Sequence, residues 1–284
     1  MTVPPTFNDD ERRNFLRYTR TEQWPMFQRY PIDEELHAEL LAQMLNCTPA
    51  HIRALVQSLS DVTRTSAAQM MSVRRPRAAV EALPFRDGDR VVAVGDSITA
   101  DRIGWFEMLS ASMERAGNRA VSRHNLGVSG NTTADVLERF DLLEAARPTF
   151  VLVMLGTNDA RSHGRPISHR MATAQETERN LLALIELITI DLGASVRLIT
   201  PPAVDEGRIS AFFTEMPLRW SPASVAEVAD TVRKVDPGCI DIHAAMQAYG
   251  VDGLLEPDGV HPNRAGQEFI FRNVLAALHT GGPS

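Results

Sequence analysis

Residues 91–99 read VVAVGDSIT: four apolar residues, three of them valine, then a glycine and two small polar side chains. A short apolar run closed by a turn signal marks a strand buried on both faces. An amphipathic stretch, Trp105 to Arg115, follows it. The same texture recurs downstream. Runs at Ala120 to His124, Phe150 to Leu155, Val196 to Ile199 and the shorter Cys239 to Ile242 alternate with helical stretches at Thr133 to Ala146, Ala172 to Leu192, Ser221 to Lys234 and Asn263 to Leu278. Right-handed crossovers between parallel strands put helices on both faces. The expected fold is therefore α/β, a three-layer α/β/α sandwich around a five-stranded parallel sheet.

Upstream of this region the pattern is helical. One helix follows Asn8 and Asp9, and a second runs from Asp33 with Leu36, Leu40, Leu41 and Met44 on one face. A third starts at Thr48 as N-cap with Pro49 in the first turn and Ile52, Leu55 and Val56 as its apolar face. The stretch SVRRPRAAVEALPFRDGDR, rich in arginine and broken by proline and glycine, reads as a connecting segment. Two regions are expected: 1–86 as an all-helical N-terminal extension and linker, and 87–284 as the catalytic domain.

Bulk composition narrows the function. The chain has 284 residues, 44% hydrophobic and 23% charged, enough for a sizeable core without disulfides. A net charge of -7 argues against nucleic-acid or anionic-membrane partners, which call for an excess of Lys and Arg. The N-terminus lacks an apolar signal region, and no later run reaches spanning length, so a cytoplasmic protein is expected. Cys47 and Cys239 lie in no Cys/His cluster, so neither a disulfide framework nor a zinc site is supported.

In open parallel sheets, reactive groups collect at the carboxyl ends of the strands. Three of the runs end in polar or glycine-rich blocks: GDSIT at 95–99, GVSGNTT at 127–133 and GTNDA at 156–160. A fourth block, DGVH at 258–261, precedes the last helix. Each alone has an ordinary explanation. Asp96 and Ser97 suit a helix cap, the glycines suit a turn, Asn158 suits a cap, and a histidine before proline is often structural. Four such signals in four separate loops point beyond coincidence.

Together the four blocks resemble the SGNH, or GDSL-type, esterase and lipase superfamily of serine hydrolases, named for Ser, Gly, Asn and His in four sequence blocks. The likeness runs from about Asp87 to the C-terminus. It implies the flavodoxin-like SGNH-hydrolase sandwich, with Ser97 as nucleophile and His261 as general base and then acid, oriented by Asp258. It also implies an oxyanion hole made of the Ser97 and Gly130 backbone amides and the Asn158 side chain. Ile98 stands where the family name has leucine, a conservative exchange.

Acyl transfer asks for the same groups. A serine hydroxyl needs an imidazole to take its proton, and the imidazolium needs a carboxylate. The chain lacks the G-x-S-x-G elbow of α/β-hydrolases, since Thr99 and Asn131 stand where the second glycine belongs. The expected reaction is cleavage of a small or short-acyl ester, such as an acetylated sugar or metabolite, with no cofactor and no metal. Thioester hydrolysis or acyl transfer by the same site is the alternative.

Candidate substrate contacts are Asp96, Thr157, His163 and the aromatic residues Phe212, Phe213 and Trp220. The last three lie in a segment, Pro201 to Ser221, that reads as a wall, a partial lid or a helix packed on the core. His163 and His169, in SHGRPISHR, read equally as exposed loop residues. The extension has the outline of a helix-turn-helix with Thr48 to Arg53 entering a groove, but lacks a turn glycine and concentrated positive charge. A helical hairpin packed on the catalytic domain, or on a second subunit in a homo-oligomer, is the plainer expectation.

Overall fold

The computed structural model describes residues 6–163, 169–216 and 218–280. The chain opens with α1 (Asp9–Tyr18), α2 (Pro25–Arg29), α3 (Glu34–Met44), α4 (Pro49–Ser72) and α5 (Arg74–Glu81). Local chemistry sets their starts. Asn8 and Glu11 form a reciprocal capping box, Asp33 accepts from the Leu36 amide, and Thr48 caps α4 ahead of Pro49. The face of α3 differs from expectation. Ala38, Leu41, Ala42 and Leu45 are buried, whereas Leu36, Leu40 and Met44 are exposed. Two small alanines let α3 lie close on α4, so the buried stripe follows them rather than the larger leucines.

The arginine-rich linker is also corrected, because α5 occupies its centre. Pro76 is tolerated there as the third helical residue, where an amide has no intrahelical acceptor to lose. Met70, Val80 and Leu83 from α4, α5 and the residue pair after it join the apolar cluster containing Val91, Trp105 and Phe106. The end of this helical stretch is thereby built into the core that the following strands and helices share.

The strands among the described residues are β1 (Arg90–Gly95), β2 (Ser122–Gly127), β3 (Phe150–Met154), β4 (Ser162–His163), β5 (Ser195–Ile199) and β6 (Leu218–Arg219). The main sheet has the order β2-β1-β3-β5 with all pairs parallel, and β4 and β6 make a separate two-residue antiparallel ribbon. The main sheet thus has four strands, not five, among the described residues. The expected strand at Cys239 to Ile242 contributes one parallel bridge, Ile240 to Ile199. Asp241 then caps a helix that begins at Ile242, so the chain leaves the sheet after a single pairing.

The remaining helices are α6 (Ser97–Ala100), α7 (Trp105–Arg115), α8 (Thr133–Glu138), α9 (Phe140–Ala145), α10 (Ala174–Glu186), α11 (Glu206–Phe212), α12 (Pro222–Val235), α13 (Ile242–Tyr249) and α14 (Arg264–Thr280). Alternation along the strands makes the three layers. Val91, Ala93, Leu152 and Met154 pack with side chains of α7, α13 and α14 on one face. Val92, Val94, Val151 and Val153 pack with those of α8, α9, α10 and α12 on the other. Because the strands run parallel, the loops after β1, β2 and β3 emerge on one rim. Among the described residues, no helix is long and apolar enough to cross a membrane.

Candidate active site

At the end of β1, Asp96 turns the chain into α6 by accepting the Ile98 amide at 2.9 Å. Ser97 is the first residue of that helix, where the backbone amide has no intrahelical acceptor. Its Oγ lies 2.8 Å from His261 Nε2. His261 comes from the turn before α14. Asp258 shapes that turn by accepting the Val260 and His261 amides through Oδ1 at 2.8 and 2.9 Å, while its Oδ2 meets His261 Nδ1 at 2.6 Å. Gly259 between them has φ +73°, and a Cβ there would stand 2.5 Å from the Asp205 carbonyl oxygen. Only glycine fits.

A carboxylate can only accept, so Nδ1 carries the proton toward Asp258 and Nε2 is left to accept from the Ser97 hydroxyl. Burial works to lower the pKa of His261. The hydrogen bond and charge of Asp258, with Asp96 and Asp101 further off, outweigh it and leave the imidazole more basic than usual. Burial acts to raise Asp258, and the His261 hydrogen bond and charge, with the two amides, bring it below the ordinary range. The two groups favour each other's charged form.

The loop after β2 turns at Gly130 with φ +85°, a conformation open to glycine. Beside it, Arg139 is buried and donates to Asn131 Oδ1 at 2.7 Å and to the Leu126 carbonyl at 2.9 Å. Desolvation lowers that guanidinium to about 10. The loop after β3 supplies Asn158, whose Nδ2 donates to the Asn131 carbonyl at 3.1 Å and approaches Asp96 Oδ2 at 3.5 Å. Asn158 therefore lies between the neighbours of Gly130 and Ser97. Asp159, fully buried, ties the two loops by accepting the Thr133 amide and hydroxyl and the Thr177 hydroxyl.

Ser97, Asp258 and His261 thus form an unbroken hydrogen-bonded chain, with Gly130 and Asn158 on adjoining loops. The residues named as substrate contacts are distributed differently. Asp96 and Thr157 are 1% and 4% exposed, and Asp96 caps α6 through the Ile98 amide. Burial pushes the Asp96 carboxyl up to about 6.

Phe213 and Trp220 are buried with Ala160, Val225, Val228 and Val260, and Trp220 Nε1 donates to the Thr157 carbonyl at 3.0 Å. They brace the Asn158 loop against the His261 turn. Phe212 is exposed and stacks edge-on against Phe213 at 5.0 Å. Among the described residues of the segment from Pro201 to Ser221, Glu206–Phe212 form α11 and Phe213 and Trp220 pack into the core. His163 is an exposed member of the β4 ribbon, and His169 is exposed as well.

Other neighbours of the site left no mark in the sequence. Tyr18 of α1 packs on His261 with ring centroids 4.5 Å apart. Arg17 reaches Asp101, Glu256 and the Pro262 carbonyl, and Gln267 links Asp101 to Ile98. Only Asp159 had a signal available, since it stands inside the GTNDA block. Among the described residues, no group of three or more His, Cys, Asp or Glu side chains is arranged to hold a metal ion.

Residues 93–269, more than half of the chain, match the model of the GDSL-like lipase/acylhydrolase family. Esterase TesA of Pseudomonas aeruginosa is 29% identical over 199 residues, which cover 66% of this chain and 87% of that protein. LAE5, an alpha/beta hydrolase enzyme from the metagenome of Lake Arreo in Spain, is similar in structure with a TM-score of 0.55 at 26% identity, over 71% of this chain and 99% of its own. A mutant of Axe2, an acetyl-xylooligosaccharide esterase from Geobacillus stearothermophilus, also gives 0.55, at 20% identity over 69% of this chain and 96% of its own. That last likeness bears on the fold alone.

Proposed function

The chain belongs to the GDSL-like lipase/acylhydrolase family, and from that premise we propose that it cleaves short-acyl carboxylic esters through an acyl-Ser97 intermediate. The observation that carries this is the continuous run from Ser97 Oγ to His261 Nε2 at 2.8 Å and from Nδ1 to Asp258 at 2.6 Å. Ser97 Oγ attacks the ester carbonyl as its proton passes to Nε2. The imidazolium so formed is stabilised by Asp258, whose two amide bonds fix its orientation.

Negative charge then develops on the carbonyl oxygen. The donors assigned to it are the Ser97 and Gly130 amides and Asn158 Nδ2, each contributing about 2.7–4 kcal/mol to lowering the barrier. Asn158 has the freedom to do so, because its 3.5 Å approach to Asp96 is too long to be a strong bond, and exchanging it for an oxyanion costs little. Nε2 next protonates the departing alcohol. Water repeats the sequence to free the acid, with His261 again taking the proton.

A short acyl group is favoured because Ser97 is only 7% exposed, which leaves little open surface beside its hydroxyl for a long chain. The test is hydrolysis of nitrophenyl esters from acetate to decanoate, with Ser97→Ala as control. Turnover should be highest for the shortest chains and vanish in the control. A maximum at decanoate would reject the short-acyl assignment. Accumulation of a transferred ester when an alcohol acceptor is added would make the protein an acyltransferase instead.

A further inference from the structure

We propose that Arg17 and Tyr18, at the end of α1, are positioning residues that hold the Ser97 helix and the His261 turn in register. The helical extension is then a working part of the active site. This rests on the assignment of Ser97 and His261 as the reacting pair.

The guanidinium of Arg17 joins the two halves of the site. On one side its Nε and Nη2 donate to the two carboxylate oxygens of Asp101, both at 2.9 Å. Asp101 directly follows α6, is fully buried, and also accepts from the Ile103 amide and from Gln267. On the other side Nη1 donates to Glu256 at 2.5 Å, and Nη2 to the Pro262 carbonyl at 3.1 Å. Glu256 and Pro262 flank Asp258 and His261, and the Glu256 amide donates to the His261 carbonyl at 2.8 Å. A rigid planar fork can serve these acceptors together, as a flexible ammonium cannot.

Tyr18 completes the support. Its ring is tilted 41° against the imidazole and is itself nearly closed to solvent. The hydroxyl is buried with no hydrogen-bond partner among the described residues, so the flat ring is the contributing part. It shields one face of the histidine from water, where a low local dielectric strengthens the bond to Asp258. The attachment is reinforced around it. The Arg102 amide donates to the Arg17 carbonyl, Arg102 Nε to the Leu16 carbonyl, and Arg20 Nε to the Ala100 carbonyl. Leu16, Arg17, Tyr18 and Arg20 all lie outside the stretch that matches the family model, which begins at residue 93.

The experiment uses the full chain and the variants Tyr18→Leu, Tyr18→Phe, Arg17→Lys and Ser97→Ala. It records kcat and KM for nitrophenyl acetate, the rate of fluorophosphonate labelling, and melting curves that set an assay temperature at which each variant is folded. Tyr18→Leu and Arg17→Lys should lower kcat and the labelling rate at least tenfold, with KM within twofold of the parent. Tyr18→Phe, which keeps the ring, should restore both to within twofold.

Tyr18→Leu folded and turning over within twofold of the parent would overturn the proposal, as would a change confined to KM or an equal loss in Tyr18→Phe. If Tyr18→Leu does not fold, Tyr18→Met takes its place under the same criteria. Retention of hydrolysis by Ser97→Ala would bring down the functional assignment itself. Silence of Ser97→Ala with full activity in the Tyr18 and Arg17 variants would bring down only this inference.

Discussion

Replacing Asp96 by Asn should stabilise the protein at about pH 8 and lose that advantage near pH 4.5. Asp96 is 1% exposed, and burial raises its pKa from 3.8 to about 6 against the opposing pull of the Ile98 amide and His261. A gap of about 2 units corresponds to roughly 3 kcal/mol. The folded state holds the proton more tightly, so no cost exists below the unfolded value of 3.8. Stability is lost as pH rises from there to about 6, and the full cost persists above. Asn keeps an oxygen for the Ile98 amide and removes the buried charge.

The variant forfeits the Thr157 hydrogen bond to the carboxylate as well as the weak 3.5 Å contact with Asn158 Nδ2, which leaves a net gain of about 1–2 kcal/mol at pH 8 and a rise in Tm of roughly 2–6 °C. Activity should fall severalfold, because Asp96 is one of the charges that favour the His261 imidazolium. Thermal melts of both proteins at the two pH values provide the assay. An equal difference in Tm at both would refute the reasoning, since ionisation of Asp96 would then carry no cost.

Asn158→Ala should lower kcat by about 10²–10³ with little change in KM, as befits a donor engaged mainly in the transition state; an equal effect on KM, read from steady-state kinetics, would make it a binding residue. Asp258→Asn should lower kcat by about 10⁴. The activity limb that rises with pH should also move to lower pH, since burial of His261 remains while the main opposing influence is gone; a limb that stays in place in the pH profile would contradict the cited coupling. Gly259→Ala should cost roughly 1–3 kcal/mol for the positive φ alone. The 2.5 Å approach to the Asp205 carbonyl adds to that cost, so the melting curve should shift and activity should fall with it.

The reactive groups were legible because each belongs to a short local pattern: an apolar strand, then a glycine or small polar residue where the chain must turn. Asp96, Ser97 and Asn158 carry that mark, while the Asp258 to His261 turn and the caps Asn8, Asp33 and Thr48 carry the related one of a small polar residue just ahead of a helix. The fifth strand was misjudged because Ile240 and Ile242 are apolar enough for a strand, yet Asp241 between them starts a helix. The buried face of α3 was misjudged because leucines outweigh alanines in any count of hydrophobicity, while close helix packing selects the small residue. The wiring of the extension was invisible. Arg17 to Asp101 spans 84 positions and Arg17 to Glu256 spans 239, and in RRNFLRY an arginine bound for a buried carboxylate looks like one bound for solvent.

Everything in the proposed chemistry runs through one oxygen atom, Ser97 Oγ, 2.8 Å from the imidazole that is to receive its proton. Acid quenching during turnover of nitrophenyl acetate, followed by peptide mass spectrometry, reads that atom directly. The account predicts a single acetyl adduct on the peptide containing Ser97, accumulating in His261→Ala more slowly than in the parent protein. An adduct on another side chain, Ser129 among them, with Ser97 unmodified, would contradict it.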